Sequence, residues 1–274
     1  MGLKGAIIGD IIGSQYEFIR CGDPYNCSLI TDECKYTDDT VMSIATKYAI
    51  DNQIDFQQSY RTFGRLFNNA GYGGMFKKWL NSPSATPYFS FGNGSAMRCS
   101  YIGEHYSELN KVQEVAAMSA ICTHNHPEGV KGAIVTASCI WYAKNGYSKE
   151  DIYNYVLSEY PSTKYQYSID KDFKYLQNHY EWNCICQDSV PVAIKCFIES
   201  NSYEEFIRNV LSLDCDADTL CAIGGSIAEE FYKESILNSE DILSSYLDSI
   251  LLSIYHNEKI IISDNLMRFQ KKNE

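Results

Sequence analysis

Apolar residues along this 274-residue chain recur mostly at spacings of three and four, which is the period of an α-helix. Two clear faces run over residues 41–49 and 56–67. Further helical patterns cover residues 95–104, 111–122, 127–144, 149–158, 189–199, 203–211, 219–233 and 241–254. Alternating patterns typical of strands are nearly absent. The sequence therefore predicts an all-α protein with about ten or more helices.

Three stretches lack a helical period: residues 20–36, residues 81–93 and the aromatic, polar segment 160–187. Long loops in a compact domain are often lids or binding loops, although a surface insertion is the alternative. None of the three has the composition of a linker. We therefore expect residues 1–274 to form a single domain, an orthogonal bundle of many helices.

The composition is that of an ordinary soluble globular protein, with 45% hydrophobic and 21% charged residues. The net charge is −12 and the densest basic clusters are lysine pairs, so we expect neither nucleic-acid binding nor attachment to an anionic membrane. No apolar run approaches the roughly 18 residues of a membrane span. The eleven cysteines include no C-x-x-C pair and follow no secretory signal, which favours reduced thiols and a cytoplasmic location.

Two similar acidic clusters stand at predicted helix starts, one in "KYTDDTVMSIA" and one in "LDCDADTLCAIGG". Their oxygen-bearing residues are Thr37, Asp38, Asp39, Asp216, Asp218 and Thr219. Helix capping explains one such residue at each start, because a side-chain oxygen accepts a hydrogen bond from a free backbone N–H. Capping does not explain why each of the two helix starts carries two aspartates.

A pair of divalent cations would explain the duplication. If the two helix starts met in space, four carboxylates and two hydroxyls would converge, and Mg²⁺ and Mn²⁺ prefer such oxygen ligands. Carboxylates a few ångströms apart resist ionisation unless cations neutralise them. Glu17 is a candidate for a further oxygen ligand. The spacing thus predicts a binuclear metal site at helix N-termini, provided that the two clusters meet.

Two glycine-rich stretches indicate ligand binding. "AGYGGMFKKWL" places Gly71, Gly73 and Gly74 before a short amphipathic helix, and "SFGNGSAMR" places glycines around Asn93. Glycines let the backbone approach a ligand, and helix N-termini offer N–H groups to phosphate. Ordinary turns are the alternative interpretation, and no dinucleotide-binding fingerprint is present.

The H-x-H pair formed by His124 and His126 raises the question of zinc. Structural zinc needs about four nitrogen or sulfur ligands, and no partner pair is visible in the sequence. Because Pro127 is tolerated at a first helical position, we expect residues 125–127 to form a helix-entry turn.

Taken in order, these stretches resemble the ADP-ribosylglycohydrolase family, which includes the dinitrogenase-reductase-activating glycohydrolases. The resemblance rests on "GAIIGDIIGSQYEF", "YTDDT", "GYGGMFKKWL", "GNGSAMR", "THNHPEGVKGA", "QDSVPVAI" and "DADTLCAIGGSIAEEFY", and it covers residues 2 to about 233.

The resemblance implies an all-α fold with two Mg²⁺ or Mn²⁺ ions, held by the six residues of the acidic clusters. It implies that Glu17 lies on a mobile loop over the metals, and that His124 lies near the substrate. ADP-ribose would be held by residues of the two glycine loops, namely Gly71, Gly73, Gly74, Ser90, Phe91, Gly92, Asn93 and Gly94, with Phe91 against adenine.

The implied reaction is hydrolysis of the N- or O-glycosidic bond between ADP-ribose and a modified side chain, with ADP-ribose as product. The substrate would be an ADP-ribosylated protein or small molecule. Asp38, Asp39 or Glu17 is a candidate general acid or base, and the sequence does not choose among them. An oxocarbenium-like transition state and a metal-activated water are consistent with that chemistry.

Two departures from the family leave the linkage open among arginine, serine, nucleobase and other ADP-ribose derivatives. The loop "GYGGMF" looks shorter than in many relatives, and segment 160–187 is unusually aromatic and matches no motif that we can place. An inactive ADP-ribose-binding protein on the same fold is one alternative, and another binuclear metal hydrolase is a second.

Overall fold

The computed structural model describes residues 2–234, 236, 238–258, 260 and 262. This part of the chain contains fourteen α-helices and no strand, so the prediction of an all-α fold is confirmed. Residues 263–274 lie outside it, and the extent of the domain over residues 1–274 stays a prediction. The helices are α1 (Gly2–Gly13), α2 (Asp38–Asp51), α3 (Phe56–Leu66), α4 (Gly74–Asn81), α5 (Ser100–His105), α6 (Leu109–Ile121), α7 (Pro127–Lys144), α8 (Lys149–Glu159), α9 (Phe173–His179), α10 (Cys186–Ile198), α11 (Tyr203–Leu211), α12 (Ala217–Tyr232), α13 (Ser239–Tyr246) and α14 (Ser249–Tyr255).

Helices α1 and α12 form an antiparallel pair in backbone contact at the centre of the fold. A Cβ added at Gly5 would lie 2.3 Å from the carbonyl oxygen of Gly225, and one added at Gly9 would lie 2.2 Å from that of Cys221. Because no side chain fits there, glycine at every fourth position of α1 permits the close approach. The pairing sets the C-terminal end of α1 beside the N-terminal end of α12.

A buried aspartate ties the start of α2 to the same place. Asp10, on α1, has no exposed surface and accepts hydrogen bonds from the backbone N–H groups of Thr37 and Thr40, at 2.9 and 3.1 Å. It also accepts one from the Thr37 hydroxyl at 2.7 Å. Free N–H groups at a helix N-terminus need acceptors, and Asp10 supplies them from a neighbouring helix. Three helix ends therefore meet at one point.

Several helices begin and end where their hydrophobic pattern predicts, and others do not. Helices α7 and α11 match the predicted ranges 127–144 and 203–211. The predicted helix 241–254 is wrong as one element, because it breaks between α13 and α14, where the Asp248 side chain caps α14 by accepting from Ile250 N–H. The predicted helix 95–104 is reduced to α5, because a 3₁₀ turn occupies Asn93–Ser95.

Segment 160–187 is less irregular than its sequence indicates. It contains the short helix α9, whose start is capped by Asp172. Tyr160 and Tyr165 stack edge to face beside the ammonium of Lys131 on α7, and this packing holds the start of the segment against the bundle. Its end forms an isolated antiparallel bridge between Ile185 and Gly92.

A search of the described helices for membrane spans found none with both the length and the apolar character required.

Candidate active site

The first acidic cluster occupies the start of α2. Thr37 is the N-cap residue, and its hydroxyl accepts a hydrogen bond from Asp39 N–H at 3.3 Å. Capping therefore accounts for the threonine. The carboxylates of Asp38 and Asp39 are left for other partners, and both residues line a cavity next to the helix start.

The second acidic cluster occupies the start of α12. Asp216 stands at the N-cap position but makes no capping hydrogen bond there. Its Oδ2 instead accepts from the side-chain amide of Asn93 at 2.7 Å. Asp218 Oδ1 accepts from Thr219 N–H at 2.9 Å. Asn93, which belongs to the second glycine loop, thus links that loop to the acidic cluster.

The two clusters meet, as the metal-site hypothesis requires. The Thr219 hydroxyl lies 3.3 Å from Asp39 Oδ2. Carboxylate oxygens of Asp10, Asp39 and Asp218 lie within 4.8 Å of one another, and so do those of Glu17, Asp216 and Asp218. Asp218 belongs to both groups, so the carboxylates form one continuous set.

The residues present fit hard divalent cations. All side-chain donors in both groups are oxygens, the ligand type that Mg²⁺ and Mn²⁺ prefer. Asp39 is almost fully buried, and its Oδ1 has no hydrogen-bond partner in the described part of the chain. Because a buried unpaired carboxylate oxygen costs free energy, a cation ligand would explain why it is kept.

Burial raises the pKa of every carboxyl in this set and of the neighbouring Asp38, and like charges nearby raise the pKa of Glu17, Asp38, Asp39 and Asp218 further. Burial, followed by the charge of Asp10, raises the pKa of Asp38 to about 8, and the same two causes raise the pKa of Asp39 well above its usual value. Burial and then Asp216 raise the pKa of Asp218 well above its usual range. Such a set is costly to keep ionised, and it binds positive charge readily.

Glu17 is the least buried member of the set. It follows the 3₁₀ turn Ser14–Tyr16 at the end of α1. Burial, followed by the charge of Asp216, raises its pKa to about 7. A carboxyl that titrates near neutral pH and lines a cavity is suited to proton transfer.

The cavity beside the carboxylates has a volume of about 410 Å³ and gathers most of the predicted site residues. Its wall includes predicted residues from the acidic clusters and both glycine loops, namely Glu17, Asp38, Asp39, Gly71, Gly73, Gly74, Ser90, Gly92, Asn93, Gly94, His124, Asp216, Asp218 and Thr219. Gly71 has a φ of +106°, a backbone conformation that favours glycine, and a Cβ there would lie 3.2 Å from Asp38 Oδ1.

His124 lies in the wall as a neutral imidazole. Burial, and then the charge of Arg98, lower its pKa well below the usual value. Its Nδ1 is 2.7 Å from the Thr123 hydroxyl, and a Cβ added at Gly94 would lie 3.3 Å from its Nε2. Arg98 is itself buried in the wall, where it donates to Ser119 O and Thr123 Oγ1.

Two predicted site residues do not line the cavity. Thr37 lies behind the carboxylates, between Asp10 and Asp39. The Phe91 ring packs against His126, with ring centroids 5.1 Å apart, and is 41% exposed. The His126 side chain caps α7 by accepting from Glu128 N–H, so the expected helix-entry turn is present.

The sequence did not identify Asp10, Arg98, Trp182 or Cys184 as site residues. Asp10 had a signal, because it is the lone charge in the apolar run "GAIIGDIIG". Trp182 and Cys184 reach the cavity from segment 160–187, which has no clean period. Their position depends on backbone contacts with the second glycine loop, and no spacing rule predicts those contacts.

The sequence model of ADP-ribosylglycohydrolases matches residues 2–236. This match identifies a hydrolase that acts on glycosyl bonds. The chain belongs to the ADP-ribosylglycohydrolase family.

Individual relatives agree with that assignment. The chain is 28% identical over 310 residues to ADP-ribosylhydrolase ARH3 of Homo sapiens, with 84% of each chain covered. It is 25% identical over 312 residues to ADP-ribosylhydrolase ARH3 of Gallus gallus, covering 85% of this chain and 84% of that protein. A solved structure described as an ADP-ribosylglycohydrolase-related protein complex has the same fold, with a TM-score of 0.67 and 18% identity over 94% of this chain and 96% of that one.

Proposed function

We propose that this protein is a divalent-cation-dependent hydrolase that releases ADP-ribose from a modified side chain or small molecule, and so reverses ADP-ribosylation. The observation that carries the proposal is the meeting of the two acidic clusters beside a cavity whose other wall is made of two glycine loops. The six residues of the acidic clusters would hold two cations, Mg²⁺ or Mn²⁺. Bound there, the cations would supply Lewis-acid chemistry, orient ribose hydroxyls and lower the pKa of a water molecule.

The glycine loops would hold the ADP-ribose. The N-terminal end of α4 follows Gly73, and its free N–H groups suit a pyrophosphate. The Ser90–Gly94 backbone would approach the sugar closely because Gly92 and Gly94 carry no side chain. Neutral His124 would accept or donate a hydrogen bond without bringing another charge into the site.

Phe91 keeps its proposed place against adenine only if the base lies at the outer rim. Its ring is half exposed beside His126 and Phe89, so a base bound there would stack outside the cavity. Tyr88, which does line the cavity, is the aromatic side chain available further in.

Glu17 is our choice among the three candidate acid–base residues. Its partial exposure, its position in the cavity wall and its pKa of about 7 suit a group that exchanges a proton with substrate or water. Asp38 and Asp39 are more deeply buried among like charges and suit cation binding.

The test is release of free ADP-ribose from arginine-, serine- and nucleobase-linked substrates, with Mg²⁺, with Mn²⁺ and with EDTA. Asp38→Ala and Asp216→Ala should abolish the release. Asp55→Ala, which removes the exposed N-cap of α3, is the matched control and should leave the rate unchanged. Tight ADP-ribose binding with no release from any substrate would support the inactive binding protein instead. Turnover of simple phosphoesters without ADP-ribose binding would support another metal hydrolase.

A further inference from the structure

Trp182 contacts the Glu17 loop in two ways. Its indole N–H donates a hydrogen bond to the backbone carbonyl of Glu17 at 2.8 Å. Its ring packs against Phe18, with ring centroids 6.1 Å apart and a tilt of 39°. All three residues line the cavity, so these contacts are made at its rim.

The chain around Trp182 is anchored to the second glycine loop. Asn93 N–H donates to Cys184 O at 2.9 Å, and Cys186 N–H donates to Phe91 O at 2.9 Å. These bonds lie two and four residues beyond Trp182. The tryptophan therefore projects from a fixed stretch of backbone, on the side of the cavity that also carries Asn93.

Residues after Glu17 are tied to the same segment. The Arg20 guanidinium donates to Gln177 O at 3.2 Å, and the Gln177 amide donates to the Tyr25 hydroxyl at 3.1 Å. The loop that follows α1 is thus held against segment 175–186 at several points.

Glu17 needs such an anchor because of its surroundings. One of its carboxylate oxygens lies within 4.8 Å of oxygens of Asp216 and Asp218, which carry the same sign of charge when ionised. When no cation neutralises these neighbours, their repulsion favours a loop position further from the cluster. A bond to the Glu17 backbone opposes that movement and leaves its carboxylate free.

We propose that Trp182 is a positioning residue, which holds Glu17 at the rim of the carboxylate set through its indole N–H. This inference rests on the proposed function for the catalytic role of Glu17. The unassigned segment 160–187 thereby takes part in the reaction, since it supplies the residue that keeps the acid–base group in place.

Trp182→Phe is the test variant, because it keeps an aromatic ring against Phe18 and removes the N–H donor. Trp141→Phe is the matched control. It removes a second indole N–H bond to a backbone carbonyl, that of Ser107 at 2.7 Å, away from the cavity.

The first readout is the rate of tryptic cleavage after Arg20, in the exposed loop that follows Glu17, which does not depend on activity. Cleavage of Trp182→Phe should be about five to ten times faster than that of the wild type, the effect expected when one hydrogen bond that holds the loop is lost. Trp141→Phe should be cleaved there at the wild-type rate. Unchanged cleavage of Trp182→Phe would overturn the proposal.

The second readout is the rate of ADP-ribose release. In Trp182→Phe we expect kcat to fall by about five- to ten-fold with little change in KM, because positioning acts on the reaction step. In a Glu17→Gln background the same substitution should have no further effect. An equal loss in both backgrounds would show that Trp182 acts independently of Glu17. If the wild type releases no ADP-ribose, the proposed function fails, and the cleavage comparison alone decides whether Trp182 holds the loop.

Discussion

The Thr219 hydroxyl lies 3.3 Å from Asp39 Oδ2, although 180 residues separate the two in the chain. This contact joins the start of α12 to the start of α2. It answers the question that the sequence leaves open, which is whether the two acidic clusters meet.

Gly9→Ala should strongly destabilise the fold. The added Cβ would lie 2.2 Å from the carbonyl oxygen of Cys221, and this backbone atom cannot move without separating α1 from α12. We expect the free energy of unfolding to fall by about 1–3 kcal/mol or more, measured by urea denaturation. Gly22→Ala is the control, because a Cβ there meets no atom of the described residues within 4 Å. Equal stability of the two variants would contradict the close approach of α1 and α12.

Asp10→Ala should destabilise the start of α2. It leaves the buried N–H groups of Thr37 and Thr40 without their acceptor, at a cost of about 2–4 kcal/mol in EDTA. Asp55→Ala removes an exposed N-cap acceptor and should cost only about 1 kcal/mol. If Asp10→Ala costs no more than Asp55→Ala, Asp10 does not hold α2 in place.

Asp39→Asn should stabilise the protein in EDTA at pH 8 while removing its response to metal. Burial and nearby carboxylates raise the pKa of Asp39, so its ionised form opposes folding once the pH exceeds the unfolded value. We expect a gain of about 1–3 kcal/mol without metal. Added Mn²⁺ should raise the Tm of the wild type by mass action and leave that of the variant nearly unchanged. A variant that is less stable in EDTA but still stabilised by Mn²⁺ would contradict this account.

The buried carboxyl of Glu229, which lies outside the candidate site, should make the stability of the protein depend on pH. Its side chain is fully buried, 3.2 Å from the Lys4 ammonium, and burial raises its pKa from 4.5 to about 7. The pKa of Glu229 is higher in the folded state than in the unfolded state, so protonation of Glu229 stabilises the fold. This stabilisation is complete below about pH 4.5 and is lost as the pH rises through 7. Relative to Glu229→Gln, the wild type should lose about 2–3 kcal/mol over that range. Denaturation curves at a series of pH values measure the difference, and parallel profiles for the two proteins would show that Glu229 does not titrate as proposed.

Hydrophobic period predicts amphipathic helices well and uniformly buried ones poorly. Helix α7 follows its pattern, with Pro127 at its start. Every residue of helix α1 except Lys4 is buried, so this helix has no polar face. The spacing of apolar residues therefore cannot show where α1 begins and ends. The break between α13 and α14 depends on a cap at Asp248, which the apolar spacing of residues 241–254 conceals.

The sequence predicts candidate site residues where a reaction requires particular residue types within a short stretch of the chain. Asp38 and Asp216 could be named because paired carboxylates at a helix start have few structural explanations. Trp182 could not be named, because its role depends on a backbone bond to Glu17 across the fold. Phe91 shows that a motif locates a residue in the chain but does not fix the direction of its side chain, because its ring packs against His126 and does not line the cavity.

A cation site shared between α2 and α12 is tested most directly by measuring Mn²⁺ binding with calorimetry. The proteins to compare are the wild type, Asp39→Asn and Asp218→Asn, with Asp55→Asn as control. We expect two Mn²⁺ ions per wild-type chain and the same number for the control. Each site variant should lose at least one ion, since Asp39 and Asp218 come from the starts of different helices. Absence of binding to the wild type, or unchanged binding in both site variants, would contradict a cation site shared between α2 and α12.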